Sequence, residues 1–140
     1  MMQMWWPIFL IVFSNVIYNI CAKTTPAKIN PLAGLTITYA VSALFSAILY
    51  KLLTHGDLFQ EYKNANLSLV AFGFALVGLE AGSIYMYRAG WNISVGQVIH
   101  GGLLAVCLIV VGFFVYHEQI TISKLLGILT IFLGLYLINR

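Results

Sequence analysis

A single carboxylate, Glu80, sits near the middle of an otherwise apolar stretch that runs from Leu67 to Tyr87. That stretch is long enough to cross a bilayer as a helix. An acidic side chain at such depth costs about 2.5–3.5 kcal/mol or more to insert, so its presence points to work on a proton, an ion or a substrate. A carboxyl group removed from water competes strongly for a proton. A group that can hold a proton or a cation, but not both, is enough to couple one flux to another. Glu80 is also the only acidic residue in any apolar segment of the chain. The alternative is a protonated Glu that bonds a neighbouring helix purely as structure.

Other polar side chains could join it. Helical spacing puts Gly73, Val77, Glu80, Ile84 and Tyr87 on one stripe. Tyr87 could donate a hydrogen bond there or stack on a cation. Asn15 and Asn19, four residues apart with Ser14 and Tyr18 beside them, form a polar stripe on the first apolar segment. That stripe could line a substrate path or serve interhelical hydrogen bonding. His100, with Gln97 one turn earlier, could relay protons near neutral pH or pack as an ordinary helix residue. Thr38, Ser42 and Ser46 follow one another in four-residue steps, and Gly78 with Gly82, and Gly127 with Gly134, are small residues on shared faces. Such residues let helices approach closely, and the Gly127–Gly134 face is read as a dimer contact. No cluster has metal-ligand spacing, so no metal or other cofactor is expected. Cys21 and Cys107 form neither a CxxC pair nor a disulfide framework. No Ser, Cys or Thr lies beside a credible base, and no glycine-rich phosphate loop follows a strand, so an enzyme is not expected.

These residues must be positioned by membrane-spanning helices. Hydrophobic residues make up 61% of the 140-residue chain and charged residues only 8%, against about 25% charged in soluble domains. A soluble domain of this length could not hide so much apolar surface, so the bilayer is its solvent. The net charge of +3 is spread out, with no basic run suited to nucleic acid. Five apolar runs stand out: Trp5–Ala22, Leu32–Leu53, Leu67–Tyr87, Ile93–Tyr116 and Thr121–Ile138. Each is near the roughly 20 residues a spanning helix needs, and in lipid the backbone must satisfy itself as helix. Pro26 and Pro31 mark the first connection. Thr54–Asn66, with His55, Asp57, Glu61 and Lys63, is the most polar stretch and reads as a loop. Arg88–Asn92 and His117–Ile120 read as tight turns, and no linker is long enough to separate domains. Trp5, Trp6, Trp91 and Tyr116 fall at span ends as interfacial anchors. Glu118 reads as a cap on the fifth span, where Thr121 and Ser123 are also available.

Five spans put the termini on opposite sides. Lys51, Lys63 and Lys124 then lie on the N-terminal side, and Lys23, Lys28, Arg88 and Arg140 on the other. The terminal amine evens the count. Orientation follows the Lys and Arg bias of the loops, and here there is almost none. Such balance permits insertion both ways round, and two copies of opposite orientation could pair about an axis in the membrane plane.

The last third of the chain, from Tyr85 to Asn139, reads YMYRAGWNISVGQVIHGGLLAVCLIVVGFFVYHEQITISKLLGILTIFLGLYLIN. It resembles the EamA domain of the drug/metabolite transporter superfamily. There a Tyr-rich helix end leads through a short turn into a fourth helix, and a Glu near its end precedes a Gly-punctuated fifth helix ending in Leu-Ile. Glu118, Gly127 and Gly134 stand at the corresponding places, and Asn15 and Lys23 before a Pro-containing turn extend the likeness to the first helix. His100 occupies the region where that family often has Pro, so no proline break is expected in the fourth helix.

The resemblance implies a five-helix, half-length member that assembles as a dimer, more distantly similar to the small multidrug resistance proteins. In those an intramembrane Glu couples transport, and Glu80 matches it in kind but not in position. The expected protein is therefore an all-α integral membrane bundle, assembled as an antiparallel homodimer in the lipid bilayer. Its expected activity is ion- or proton-coupled transport of a small organic metabolite or cation. Subunits of a heteromeric lipid-linked sugar flippase, or a structural membrane protein, are the alternatives. With no cleavable signal peptide evident before Lys23, the expected location is a prokaryotic inner membrane.

Overall fold

Long apolar runs cannot leave backbone N–H and C=O groups unpaired in lipid, and the chain responds by becoming helical almost throughout. A computed structural model describes residues 2–54, 56–119 and 121–138, with side chains from Trp5 onward. His55, Ile120 and Arg140, which the sequence places in the polar loop, the last turn and the charge count, lie outside them. The helices are α1 (Met2–Thr24), α2 (Pro31–Thr54), α3 (Leu58–Tyr62), α4 (Leu67–Arg88), α5 (Ile93–Tyr116) and α6 (Ile122–Ile138). No strand occurs among the described residues. Four helices, α1 from Trp5 onward, α2, α4 and α5, are long and apolar enough to cross a membrane. The fifth apolar run forms α6, whose 17 residues make it the shorter member of the set, at the lower end of what a span requires.

The boundaries follow local chemistry. Pro31 opens α2, where its missing N–H costs nothing, and the Asn30 side chain accepts from the Leu32 N–H at 2.9 Å. The stretch read as a loop contains α3, a single short turn that Asp57 caps by accepting from the Phe59 N–H at 3.0 Å. Gly90 takes a positive φ of 98° in the turn after α4, a conformation glycine reaches without a Cβ penalty. His117 ends α5 in the left-handed region, and the following Glu118 N–H returns to the Gly112 carbonyl at 2.9 Å. As expected from the missing proline, α5 runs unbroken past His100.

The chain divides into two compact units, Met1–Ala89 and Gly90–Arg140. In the first, α4 packs against both α1 and α2, and α3 lies against α2. The shared core is Ala22, Leu35, Ala81, Ile84 and Tyr87. These residues fall at the C-terminal end of α1, the start of α2 and the second half of α4, so the three helices meet at the Arg88 end of α4. Ala22 and Ala81 supply the small side chains that a close crossing in lipid needs. Arg88 then ties the α1–α2 connection down, donating to the carbonyls of Pro26 at 2.9 Å and Ile29 at 2.7 Å.

In the second unit α5 packs on α6 as a helical hairpin. The side chains of Ile131 and Leu135 pack over Gly102, where a Cβ would stand 3.0 Å from them. Lys124 pairs with Glu118 at 3.1 Å beside the turn, and Thr121 accepts from the Lys124 N–H at 3.4 Å, so Thr121 rather than Glu118 receives the first-turn N–H. In both units large apolar side chains such as Phe13, Phe45, Phe74 and Phe114 stand more than half exposed, as lipid-facing helices require.

Candidate functional site

A cavity of about 90 Å³ opens inside the first unit, where α1, α2 and α4 converge. Glu80 supplies its carboxylate, and Ile84, one turn on, supplies apolar wall from the same helix. Helix α1 contributes Tyr18, Cys21 and Ala22, and Thr25, just past its end, continues the same i, i+3, i+4, i+7 spacing. Helix α2 closes the third side with Leu35 and Thr38. At 1.5 Å per residue, Glu80 lies about 12 Å from the Arg88 end of α4 and close to the middle of the span. Among the described residues no hydrogen bond or ion pair engages the Glu80 carboxylate.

Two phenols stand near that carboxylate. The hydroxyls of Tyr18 and Tyr39 are buried, and no protein group bonds either one. Ser83 lies beside Tyr18, but its hydroxyl donates to the Leu79 carbonyl at 2.9 Å and makes no well-formed bond with the phenol. Tyr39 packs against the core that forms the cavity wall.

Tyr87, Asn19 and Asn15 form a separate arrangement. The sequence offers Asn15 and Asn19 as lining of a substrate path or as interhelical hydrogen-bonding residues, and Tyr87 as a donor or cation-stacking group; the structure bonds the three to one another at the α1–α4 contact. The Tyr87 hydroxyl donates to the Asn19 side-chain carbonyl. The Asn19 amide donates in turn to the Asn15 backbone carbonyl at 2.8 Å and to its side-chain oxygen. Asn19 and Tyr87 are buried, and Lys23 sits 5.7 Å from the centre of the Tyr87 ring. None of the three residues lines the cavity. Of the stripe on α4, Glu80, Ile84 and Tyr87 face inward, while Gly73 has open space around it and Val77 is partly exposed.

His100 belongs to the second unit and is exposed on α5. Gly78, Gly82, Gly127 and Gly134 have nothing within 4 Å of a built Cβ, so within the chain they face open space. The close approach in the second unit falls instead on Gly102, a position that the sequence pattern did not single out. Among the cavity walls, Tyr18 stood in the expected polar stripe and Thr38 in the four-residue steps, while Cys21, Ala22, Thr25 and Leu35 were unanticipated. The i, i+3, i+4, i+7 spacing of Tyr18, Cys21, Ala22 and Thr25 was the signal that could have found them.

Four helices long and apolar enough to cross a membrane, in a chain whose described residues form helices and no strand, mark a multi-pass membrane protein. Residues 4–140 match the EamA-like transporter family, and the chain belongs to that family of multi-pass membrane transporters. No curated protein and no solved structure matches the chain.

Proposed function

We propose that the protein is a secondary transporter that moves small organic compounds by alternating access, coupled to protons, with Glu80 holding proton and substrate in turn. The observation that supports this reading is the Glu80 carboxylate itself. It is unpaired, lies near the middle of α4 and faces a cavity shared by three helices. A carboxylate kept only as structural glue would bond a neighbouring helix; here that task falls to Asn19 and Tyr87. Those two residues, with Asn15, brace α1 against α4 so that the cavity keeps its shape. His100, on α5 in the second unit, serves as a proton relay. Energy comes from an ion gradient.

The functional assembly is an antiparallel homodimer in a prokaryotic inner membrane. Three Lys on one side of the five apolar helices against four Lys and Arg on the other give either orientation equal standing. The open glycine faces, Gly127 with Gly134 and Gly78 with Gly82, offer the contact for the second copy.

Transport can be tested with a mixture in place of a chosen substrate. Proteoliposomes holding the full chain are placed in a small-metabolite extract under an imposed pH gradient, and their contents are identified by mass spectrometry. Wild-type vesicles should accumulate specific compounds, and Glu80→Gln vesicles with the same helicity and oligomeric state should not. Equal accumulation by the variant would remove Glu80 from the mechanism.

A further inference from the structure

The cavity beside Glu80 carries an unusual imbalance of hydrogen-bonding groups. Its carboxylate has two acceptor oxygens, and among the described residues neither is engaged by a hydrogen bond or an ion pair. The buried Tyr18 and Tyr39 hydroxyls, one in the cavity wall and one in the core packed behind it, have no protein partner. Buried polar groups are ordinarily bonded, and each that is not requires an explanation. Neither Arg88 nor Lys23 supplies it. Arg88 is turned to the Pro26 and Ile29 carbonyls, and Lys23 lies against the Tyr87 ring at the α1–α4 contact. The rest of the wall is Cys21, Ala22, Leu35 and Ile84, with Thr38 already donating to the Gly34 carbonyl at 3.3 Å and Thr25 to the Cys21 carbonyl at 3.0 Å.

A ligand suited to this site brings positive charge for Glu80 and several N–H donors for oxygens that have none. A quaternary ammonium brings charge without donors. An anion meets Glu80, and a neutral alcohol brings one donor and no charge. A primary ammonium brings a charge and three N–H groups on a head small enough to enter. The volume sets the same limit. A single water needs about 10–15 Å³ of such space, so about 90 Å³ holds a head group and a few carbons, with the remainder of the molecule outside. The geometry points to a primary amine, in its protonated form, as the substrate head group, held by Glu80 and the Tyr18 hydroxyl against an apolar wall. This assignment rests on the reading of Glu80 as the substrate-binding group of a transporter.

The cavity contains its own reporter. Cys21 lines it, and the other cysteine, Cys107, lies on α5 in the second unit. In the full chain carrying Cys107→Ala, reconstituted in nanodiscs, modification of Cys21 by methyl methanethiosulfonate reports occupancy. The probes are n-butylammonium and tetramethylammonium, isomers of the same formula and charge that differ in having three N–H donors or none, with n-butanol as the uncharged control.

n-Butylammonium should slow Cys21 modification and raise the melting temperature, and the other two should do neither at the same concentration. Glu80→Gln should abolish both effects. Tyr18→Phe, which removes only the hydroxyl, should raise the n-butylammonium concentration needed for half-protection by about tenfold, the loss expected of a hydrogen bond to a charged group. Equal effects of tetramethylammonium or n-butanol, effects that survive Glu80→Gln, or no effect of n-butylammonium on either readout would overturn the assignment. The melting temperature gives a second readout that does not depend on the reactivity of Cys21. Glu80-dependent accumulation of anionic or neutral compounds in proteoliposomes, with no response to n-butylammonium, would keep the transporter reading and discard the amine. Glu80-dependent protection by n-butylammonium, with no compound moved under a pH gradient, would do the reverse.

Discussion

Asn19 and Glu80 are both polar residues on apolar helices, and their surroundings give them different work. Asn19 is buried, with its carbonyl and amide both engaged. Removing it leaves the Tyr87 hydroxyl buried without a partner, which costs about 1–3 kcal/mol. Asn19→Ala should therefore lower the unfolding midpoint in detergent, and Asn15→Ala, at an exposed position whose backbone carbonyl survives the change, should lower it less. Equal midpoints for Asn19→Ala and wild type would mean that the α1–α4 contact does not depend on this bond. Glu80 was legible in the sequence because a charge in an apolar run stands out whatever surrounds it. The walls around it were not. Ile84 could be placed only by its position on the Glu80 stripe, and Cys21, Ala22 and Leu35 are the same residue types that face lipid, so nothing in their chemistry separates a cavity lining from a lipid contact.

The helices themselves were legible to within a few residues, since a run of some twenty apolar residues bounded by Pro, Asn or Lys has one solution in a bilayer. Helix α3 was not, because five residues are too few to show a period and Asp57 caps them from within a polar stretch. The packing faces were also hidden, as helices apolar all round carry no amphipathic signal. This bears on the glycines. Gly127 and Gly134 share a face by spacing, yet the close approach of α5 to α6 falls at Gly102. Gly102→Leu should wedge the α5–α6 hairpin apart and destabilise the protein by roughly 1–3 kcal/mol, as overpacking does. Gly127→Leu should leave the chain's own stability near wild type and lower the dimer fraction seen by crosslinking. The reverse pattern would move the hairpin contact to the Gly127 face. Arg88 acts at the same scale, because its bonds to Pro26 and Ile29 hold the α1–α2 connection. Arg88→Gln should speed amide exchange and proteolysis across residues 24–30, and unchanged rates there would show that the connection holds its shape without it.

At the scale of the whole molecule, lipid-facing surface dominates, and the largest side chains find little burial within the chain. The proposed five-span topology puts nearly equal Lys and Arg counts on its two sides, and it predicts that the chain inserts both ways. Reporters active only in the cytoplasm or only outside, fused after Arg140, should both give signal, and an added Lys pair on one side should silence one of them. Signal from a single reporter in the unaltered chain would exclude the antiparallel homodimer. The direct test of proton coupling through Glu80 is proton movement itself. Vesicles loaded with a pH-sensitive dye, with no pH gradient at the start, receive a gradient of the compounds that wild-type protein accumulates. Wild-type vesicles should show a lumenal pH change whose sign reverses with the compound gradient, and Glu80→Gln vesicles should stay silent. The same pH change in both would contradict coupling through Glu80.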